Sequence, residues 1–331
     1  MNIAGIDCGT NSIRLLISQV RADGSLEDCL RRMEIVRLGQ GVDETGRFAD
    51  DALERTLNVV REYADECKKY EVTSLRFGAT SATRDAQNRD IFLNGVHSLM
   101  GVTPHVITGV HEASLSFQGA LGSLVSSPQM SSLDSDGHIC VVDVGGGSTE
   151  IVIGNMHGNI EQAFSMNVGS VRIKERYLHD DPPTGVQIKH AQACIEKALD
   201  EAEHHLTLSG IDCLIGVAGT ATTCAADYLH LDFYDSQAIH ASVIPVNKLY
   251  DIADNYMTTP VATLLEKPYM HEGRADVMPA GALVWSSVVQ RIAKRMEEKG
   301  NKLQHVLTSE HDILDGITLW ALREPQSPSF A

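Results

Sequence analysis

Two stretches far apart in the chain share one pattern, and that pattern limits the fold more than any other feature. Residues 6–17 read IDCGTNSIRLLI and residues 142–153 read VDVGGGSTEIVI. Asp7 matches Asp143, Gly9 matches Gly145, Ser12 matches Ser148, and Leu15-Leu16-Ile17 match Ile151-Val152-Ile153, all 136 positions apart. That offset is too long for a solenoid repeat and has the size of a duplicated domain. Each copy reads as strand, glycine-rich turn, strand. A plain hairpin needs only a Gly or an Asn-Gly pair, so turns this rich in small polar residues are expected to hold something.

Between the copies, strand and helix patterns alternate. The stretch DDALERTLNVVREYADECKKY carries Leu53, Leu57, Val60, Ala64 and Cys67 on one helical face, with Asp50 or Asp51 as cap. A buried strand follows at 74–80, a helix over RDAQNRDIFLNGVHSLM, a strand at 105–108 and a helix over 111–124. The segment SSPQMSSLDSDG (126–137) has no apolar period and reads as a linker. The second half repeats the scheme. It has a hairpin at 138–154, a strand near 161–167, a long helix near 186–208 and a strand–helix junction in DCLIGVAGTATT (212–223). Helices at 246–257 and 279–297, a strand at 304–309 and a final helix, DILDGITLWALRE, complete it. The expectation is therefore two α/β domains with a cleft between them. Residues 1–125 form the first, joined by the last helix at 312–331, and residues 138–311 form the second.

Composition narrows the function classes. With 331 residues, 43% hydrophobic, the chain has apolar surface for two cores. No run of about 18 apolar residues occurs, so no membrane span is expected. MNIAGIDCGT lacks a basic leader segment, so no signal peptide is expected. Seven scattered cysteines without a CxxC suggest free thiols in a reducing cytoplasm rather than a zinc site. A net charge of −17 repels nucleic acid and anionic lipid over long range. An anionic ligand would need a strong local site.

The turns offer one. Consecutive backbone N–H groups with Thr and Ser hydroxyls make an anion pocket. Asp7 and Asp143 each end a strand beside such a pocket, and two carboxylates facing a phosphate imply a divalent cation, Mg²⁺ or Mn²⁺, between them. Neither copy has the Lys of a Walker A loop, and neither opens a helix as a dinucleotide fingerprint does. GVAGTATT (216–223) adds Gly219 and Thr220 where a helix begins, a natural phosphate site.

Paired turns of this kind resemble the superfamily of sugar kinases, actin and the heat-shock ATPases, whose domains are actin-like and ribonuclease H-like. Three further stretches narrow the resemblance: FGATSATRDAQN (77–88), ITGVHEASLSFQG (107–119) and GRADVMPAGAL (273–283). In this order, with VVDVGGGSTE, they resemble the exopolyphosphatase and guanosine pentaphosphate phosphohydrolase family across nearly the whole chain. The resemblance implies a Mg²⁺-dependent hydrolase with Glu112 as the base that activates water, His111 standing where an acidic neighbour is common. A helix start favours an ionised carboxylate there. It implies Asp143, Glu150 and Asp7 around the metal, with Glu150 holding a second ion, orienting water or pairing with Arg14. Arg84, Gly9, Thr10, Asn11, Ser12, Gly145, Gly146, Gly147, Ser148, Thr149, Gly219 and Thr220 would bind phosphate. It further implies inorganic polyphosphate or guanosine pentaphosphate as substrate, alarmone nucleotides as inhibitors and a homodimer.

Longer family members carry an extra helical region that grips long polyphosphate. This sequence ends at 331, so short chains are the expected substrates. In TSEHDILDGI (308–317), Asp315 stands where a basic residue is usual. Two other functions stay open: a kinase or ATPase of the same superfold, and a non-catalytic alarmone sensor. Phosphate release from polyphosphate without an acceptor separates them from the hydrolase.

Overall fold

The computed structural model describes residues 1–125, 127–131 and 137–330, and the chain divides into two compact units. The first comprises Met1–Leu115 with Ile313–Ala331, the second Ser116–Asp312. In chain order the first holds β1 (Asn2–Cys8), β2 (Ser12–Val20), β3 (Leu26–Ile35), α1 (Val42–Thr45) and α2 (Asp50–Lys69). It continues with β4 (Val72–Ala79), α3 (Ser81–Asp85), α4 (Arg89–Met100), β5 (His105–Val106) and the start of α5 (Gly109–Leu124). The second holds β6 (Ile139–Val144), β7 (Thr149–Gly154), β8 (Ile160–Met166), α6 (Ser170–Tyr177), α7 (Gly185–Ala202) and β9 (Cys213–Val217). It then runs through α8 (Ala218–Tyr228), α9 (Ser236–Ile239), β10 (Val243–Pro245), α10 (Val246–Thr258), α11 (Val261–Leu264), α12 (Glu272–Ala275), α13 (Met278–Glu297) and β11 (His305–Thr308). The last helix, α14 (Ile313–Arg323), belongs to the first unit.

The duplication seen in the two turns extends to whole sheets. The first sheet has strand order β3-β2-β1-β4-β5, and the second β10-β11-β9-β6-β7-β8. In each, a hairpin and a third antiparallel strand flank parallel strands: β1, β4 and β5 in the first, β6, β9 and β11 in the second. Among the described residues, only β10 lacks a counterpart. The fold is two α/β units of actin-like topology.

Local chemistry explains the elements. Strands β6 and β7 are buried at every position, as expected of central strands covered on both faces. Helix α2 turns Leu53, Val60, Ala64 and Cys67 inward with Ala52, Thr56 and Tyr63. Tyr63 keeps its hydroxyl satisfied by donating to Ile13 O at 3.0 Å. Asp50 and Asp51 are not its cap: that residue is Ala49, and both acids sit inside the first turn, Asp51 pairing with Arg55 at 3.1 Å. Carboxylates there still favour the helix dipole.

Two further expectations need correction. The helix over RDAQNRDIFLNGVHSLM is broken into α3 and α4. At the break the Asn88 side chain bonds both backbone groups of Phe48, at 2.8 and 3.0 Å, and Gln87 N bonds Gly46 O at 2.9 Å. The long helix near 186–208 stops at Ala202, and His205 lies beyond it, stacked on Phe164 at 4.7 Å. The two compact units meet in sequence at Leu115/Ser116, inside α5, and residues 126 and 132–136 of the expected linker lie outside the described residues. The reason is packing. Leu115 joins a cluster with Ile107, Ile313 and Ile317, whereas Phe117 fills the space over Gly154, where an added Cβ would come within 2.7 Å.

Asp315 has a structural role. Arg31 of β3 donates to both its oxygens, at 2.6 and 3.2 Å, and so ties α14 to the edge strand. All seven cysteines are free thiols. Among the described residues no helix is long and apolar enough to cross a membrane.

Candidate active site

In the first unit, β1, β4 and β5 run parallel, so their C-terminal ends share one sheet edge, where ligands of open α/β sheets bind. The turn after β1 is closed by Gly9 N donating to Ser12 O at 2.9 Å. Its carbonyls are drawn to one side by the segment that leaves β3. Gly39 N reaches Thr10 O at 2.8 Å, and Arg37 N and Val36 N reach Asn11 O at 2.8 and 3.1 Å. A trans peptide sends its N–H opposite its C=O, so the Asn11 and Ser12 amides face away from that segment. The Thr10 hydroxyl is buried without a hydrogen-bond partner among the described residues. A buried hydroxyl normally has one, so this one suits a ligand oxygen.

Arg84 stands at the end of β4, held by α3, whose Thr83 and Arg84 amides bond Thr80 O at 3.0 Å. Its Nη1 donates to Ile107 O at 2.9 Å and to Glu112 Oε2 at 2.6 Å. Glu112 sits in the first turn of α5, which Thr108 caps: its Oγ1 accepts from His111 N at 3.2 Å and its O from Glu112 N at 2.8 Å. Glu112 is 8% exposed, a carboxylate fixed by a charge-assisted bond. The structure thus joins the two first-unit residues that sequence placed in separate roles. Asp7 is held by Arg14, which donates to its Oδ2 through Nε at 3.0 Å and Nη2 at 2.7 Å. The two are register partners across β1 and β2.

His111 neighbours a cation-bearing cluster. Trp320 meets its ring edge-on at 5.0 Å and that of His105 at 4.8 Å, and the Arg76 guanidinium lies 4.4 Å from the indole. Arg76 Nη1 stands 3.2 Å from His105 Nε2. A guanidinium only donates, so His105 accepts there as a neutral ring. Burial, then Arg76, holds His105 below the usual imidazole range, and burial does the same for His111, against an opposing pull from Glu324. The unfolded chain therefore binds more protons as pH falls through about 6.5, and stability drops with it. Melting temperatures should decline between pH 7 and 5.5, and less so in His105→Gln/His111→Gln. An equal decline in both proteins would contradict this assignment.

In the second unit, β6, β9 and β11 again end at one edge. Gly145 N closes the turn onto Ser148 O at 3.0 Å. Asp143 and Glu150 are register partners across β6 and β7, the position taken by Asp7 and Arg14 in the first unit. Both are buried. Asp143 Oδ2 accepts from Ser116 Oγ at 2.6 Å and Glu150 Oε1 from Ser165 Oγ at 2.7 Å. Thr149 does not offer its hydroxyl to a ligand: Oγ1 donates to Val168 O at 2.7 Å. Gly219 and Thr220 lie within the first turn of α8. There a Cβ on Gly219 would fall 2.2 Å from the Arg274 guanidinium carbon, and Arg274 Nη1 donates to Gly219 O at 3.2 Å. Thr220 packs on Gly281 of α13, where an added Cβ would stand 2.5 Å from its Oγ1. The stretch 273–283 therefore covers the start of α8.

The residues suit a hard divalent ion. Among the described residues no group of three or more His, Cys, Asp and Glu is disposed to hold a metal. Asp7 already shares its charge with Arg14, which weakens it as a ligand. Asp143 with Glu150 remains an all-oxygen pair, and Mg²⁺ commonly takes one or two carboxylates with water and substrate phosphate completing its shell.

Sequence reasoning missed Ser116, which holds Asp143, and Arg274, which covers Gly219, as well as Gly169 and Arg172 at the start of α6, which pack on and bond to the glycine carbonyls of the second turn. GRAD gave a signal for Arg274, and the other three show only through contacts distant in sequence.

Residues 16–300 match the Ppx/GppA phosphatase family. The chain is 40% identical over 325 residues, 96% of its length and 97% of the other's, to a Mycobacterium tuberculosis protein named exopolyphosphatase 2. It superposes on the crystal structure of an exopolyphosphatase-like protein with a TM-score of 0.89 at 40% identity, covering 96% of each chain. An Aquifex aeolicus Ppx/GppA protein gives 0.76 at 29% identity over 99% of each chain.

Proposed function

The chain belongs to the Ppx/GppA phosphatase family, and from that premise we propose that it is an exopolyphosphatase, transferring the terminal phosphoryl group of inorganic polyphosphate to water. The observation that carries this reading is the buried Glu112 carboxylate, fixed 2.6 Å from Arg84 at the sheet edge where the first turn opens. Phosphoryl transfer needs positioning, charge stabilisation and an oriented nucleophile. Glu112 accepts a proton as the water oxygen bonds to phosphorus, and the terminal P–O bond of the anhydride breaks. Only Nη1 of Arg84 is committed among the described residues, which leaves the rest of the fork for a phosphoryl oxygen.

The amides of Asn11 and Ser12, the Thr10 hydroxyl and the amides of Gly146, Gly147 and Ser148 serve as phosphate donors. The start of α8, with Gly219, Thr220 and Arg274, serves as a third anion contact. Asp143 and Glu150 are the residues to hold Mg²⁺ or Mn²⁺, which when bound neutralises charge on the phosphoryl oxygens. Asp7 orients Arg14 rather than binding the ion.

Steady-state release of phosphate from tripolyphosphate, from chains of several hundred phosphates and from guanosine pentaphosphate, run side by side without acceptor, tests the reading. Polyphosphate should be hydrolysed, with kcat/KM higher for the short chain, because a net charge of −17 offers a long polyanion little attraction. Guanosine pentaphosphate turning over far faster would move the assignment to the family's other activity. No release from any of the three would overturn it.

A further inference from the structure

The second turn is aimed from behind, and one side chain does part of the aiming. Its three glycine carbonyls are all captured by the start of α6. Gly145 O accepts from Ser170 N at 2.9 Å and from Ser170 Oγ at 3.3 Å. Gly146 O accepts from Val171 N at 2.9 Å and Arg172 N at 3.1 Å. Gly147 O accepts from the Arg172 guanidinium, Nε, at 2.8 Å. The approach is so close that a Cβ on Gly169 would stand 2.5 Å from Gly146 O, a distance no real Cβ adopts.

Peptide planarity turns this capture into a direction. Each held carbonyl fixes the plane it shares with the next amide, whose N–H points the other way. The Gly145, Gly146 and Gly147 carbonyls therefore aim the N–H groups of Gly146, Gly147 and Ser148 away from α6. Glycine planes rotate readily when nothing holds them, so without the clamp these donors would spread over many directions. The first turn uses the same device, with the backbone amides of Val36, Arg37 and Gly39 as clamping donors. In the second turn the Gly147–Ser148 plane rests on a side chain.

We propose that Arg172 is a positioning residue: by holding the Gly147 carbonyl it orients the Ser148 amide toward a phosphoryl oxygen. The proposal rests on the polyphosphatase reading for its catalytic consequence but not for its geometry. Preorganised donors matter most where charge develops in the transition state. Arg172→Ala should therefore lower kcat on tripolyphosphate by about tenfold to a hundredfold, with KM changed less than about threefold. Arg172→Lys, which keeps a cationic donor, should recover part of the loss, and so should added ethylguanidinium with Arg172→Ala.

The readout that does not need turnover is the Ser148 amide resonance in 15N-serine-labelled protein. In the parent it should shift on addition of tripolyphosphate. In Arg172→Ala it should start from a different position and shift little, while melting temperature stays within a few degrees. A parent that hydrolyses nothing, with a Ser148 resonance that still depends on Arg172, would sink the activity but not the positioning. A Ser148 resonance and a kcat both unchanged in Arg172→Ala would sink the positioning. If Arg172→Ala does not fold, the same two readouts on Arg172→Lys and Arg172→Gln decide, and values equal to the parent's in both would overturn the proposal.

Discussion

Glu112→Gln lowers kcat on polyphosphate by about 10²- to 10⁴-fold, the range a positioned general base contributes. KM changes little, because the side chain removed takes a proton and contacts no phosphate. The substitution keeps the shape and leaves an amide oxygen able to accept from Arg84 Nη1, so the pair that fixes α5 to α3 survives in neutral form. Folding cost should stay within about 1 kcal/mol, the difference between a charge-assisted and a neutral hydrogen bond. A fall in kcat with normal melting and normal KM is the expected signature. Activity equal to the parent's would mean that another group handles the water.

Asp143→Asn acts on a different part of the chemistry. It removes one charge from the buried Asp143 and Glu150 pair while leaving an oxygen for the Ser116 hydroxyl. Rate should fall by about a hundredfold or more, and the Mg²⁺ concentration for half-maximal activity should rise. Chelation of divalent ions should abolish activity in the parent, reversibly. Ser116→Ala, which removes only a hydrogen bond to the same carboxylate, should cost about tenfold or less. Rate and Mg²⁺ response both unchanged in Asp143→Asn would remove this carboxylate from the site.

Both variants target residues that were visible in the sequence, for a physical reason. The two turns repeat a local pattern that only a duplicated hairpin explains, and strands β6 and β7 carry short apolar runs, Ile139–Val142 and Ile151–Ile153, on either side of the second turn. Edge strand β3 was invisible because LEDCLRRMEI mixes charges on both faces, as an exposed edge demands. The partner of Asp315 is Arg31, 284 positions away on that same strand, so the departure at Asp315 could be noticed but not explained.

The candidate site divides the same way. Glycine, Thr and Ser in a turn between strands advertise an anion pocket, whereas Glu112 was picked out by the family resemblance of its stretch, its helix start adding only a preference for the ionised form. What no local pattern carries is how these groups are oriented. The Arg84 to Glu112 bond joins residues 28 apart, and the Arg172 to Gly147 bond joins residues 25 apart. Helix α6 gave no signal of its role, because SVRIKERY differs from any other short basic helix only in what its first turn touches. Arg37 is similar: its φ of 50°, unusual for a side-chain-bearing residue, serves the amide that clamps Asn11 O. Periodicity reports which face is buried and says nothing of such bonds.

If the proposed function is right, water, not a second substrate, receives the terminal phosphoryl group. Hydrolysis of tripolyphosphate in 18O-enriched water, followed by mass analysis of the released orthophosphate, tests it most directly. Release without any acceptor, with one 18O atom per phosphate in the parent and no such product above background with Glu112→Gln, is the expected result. Phosphate released without label, or release only when an acceptor is supplied, would contradict it.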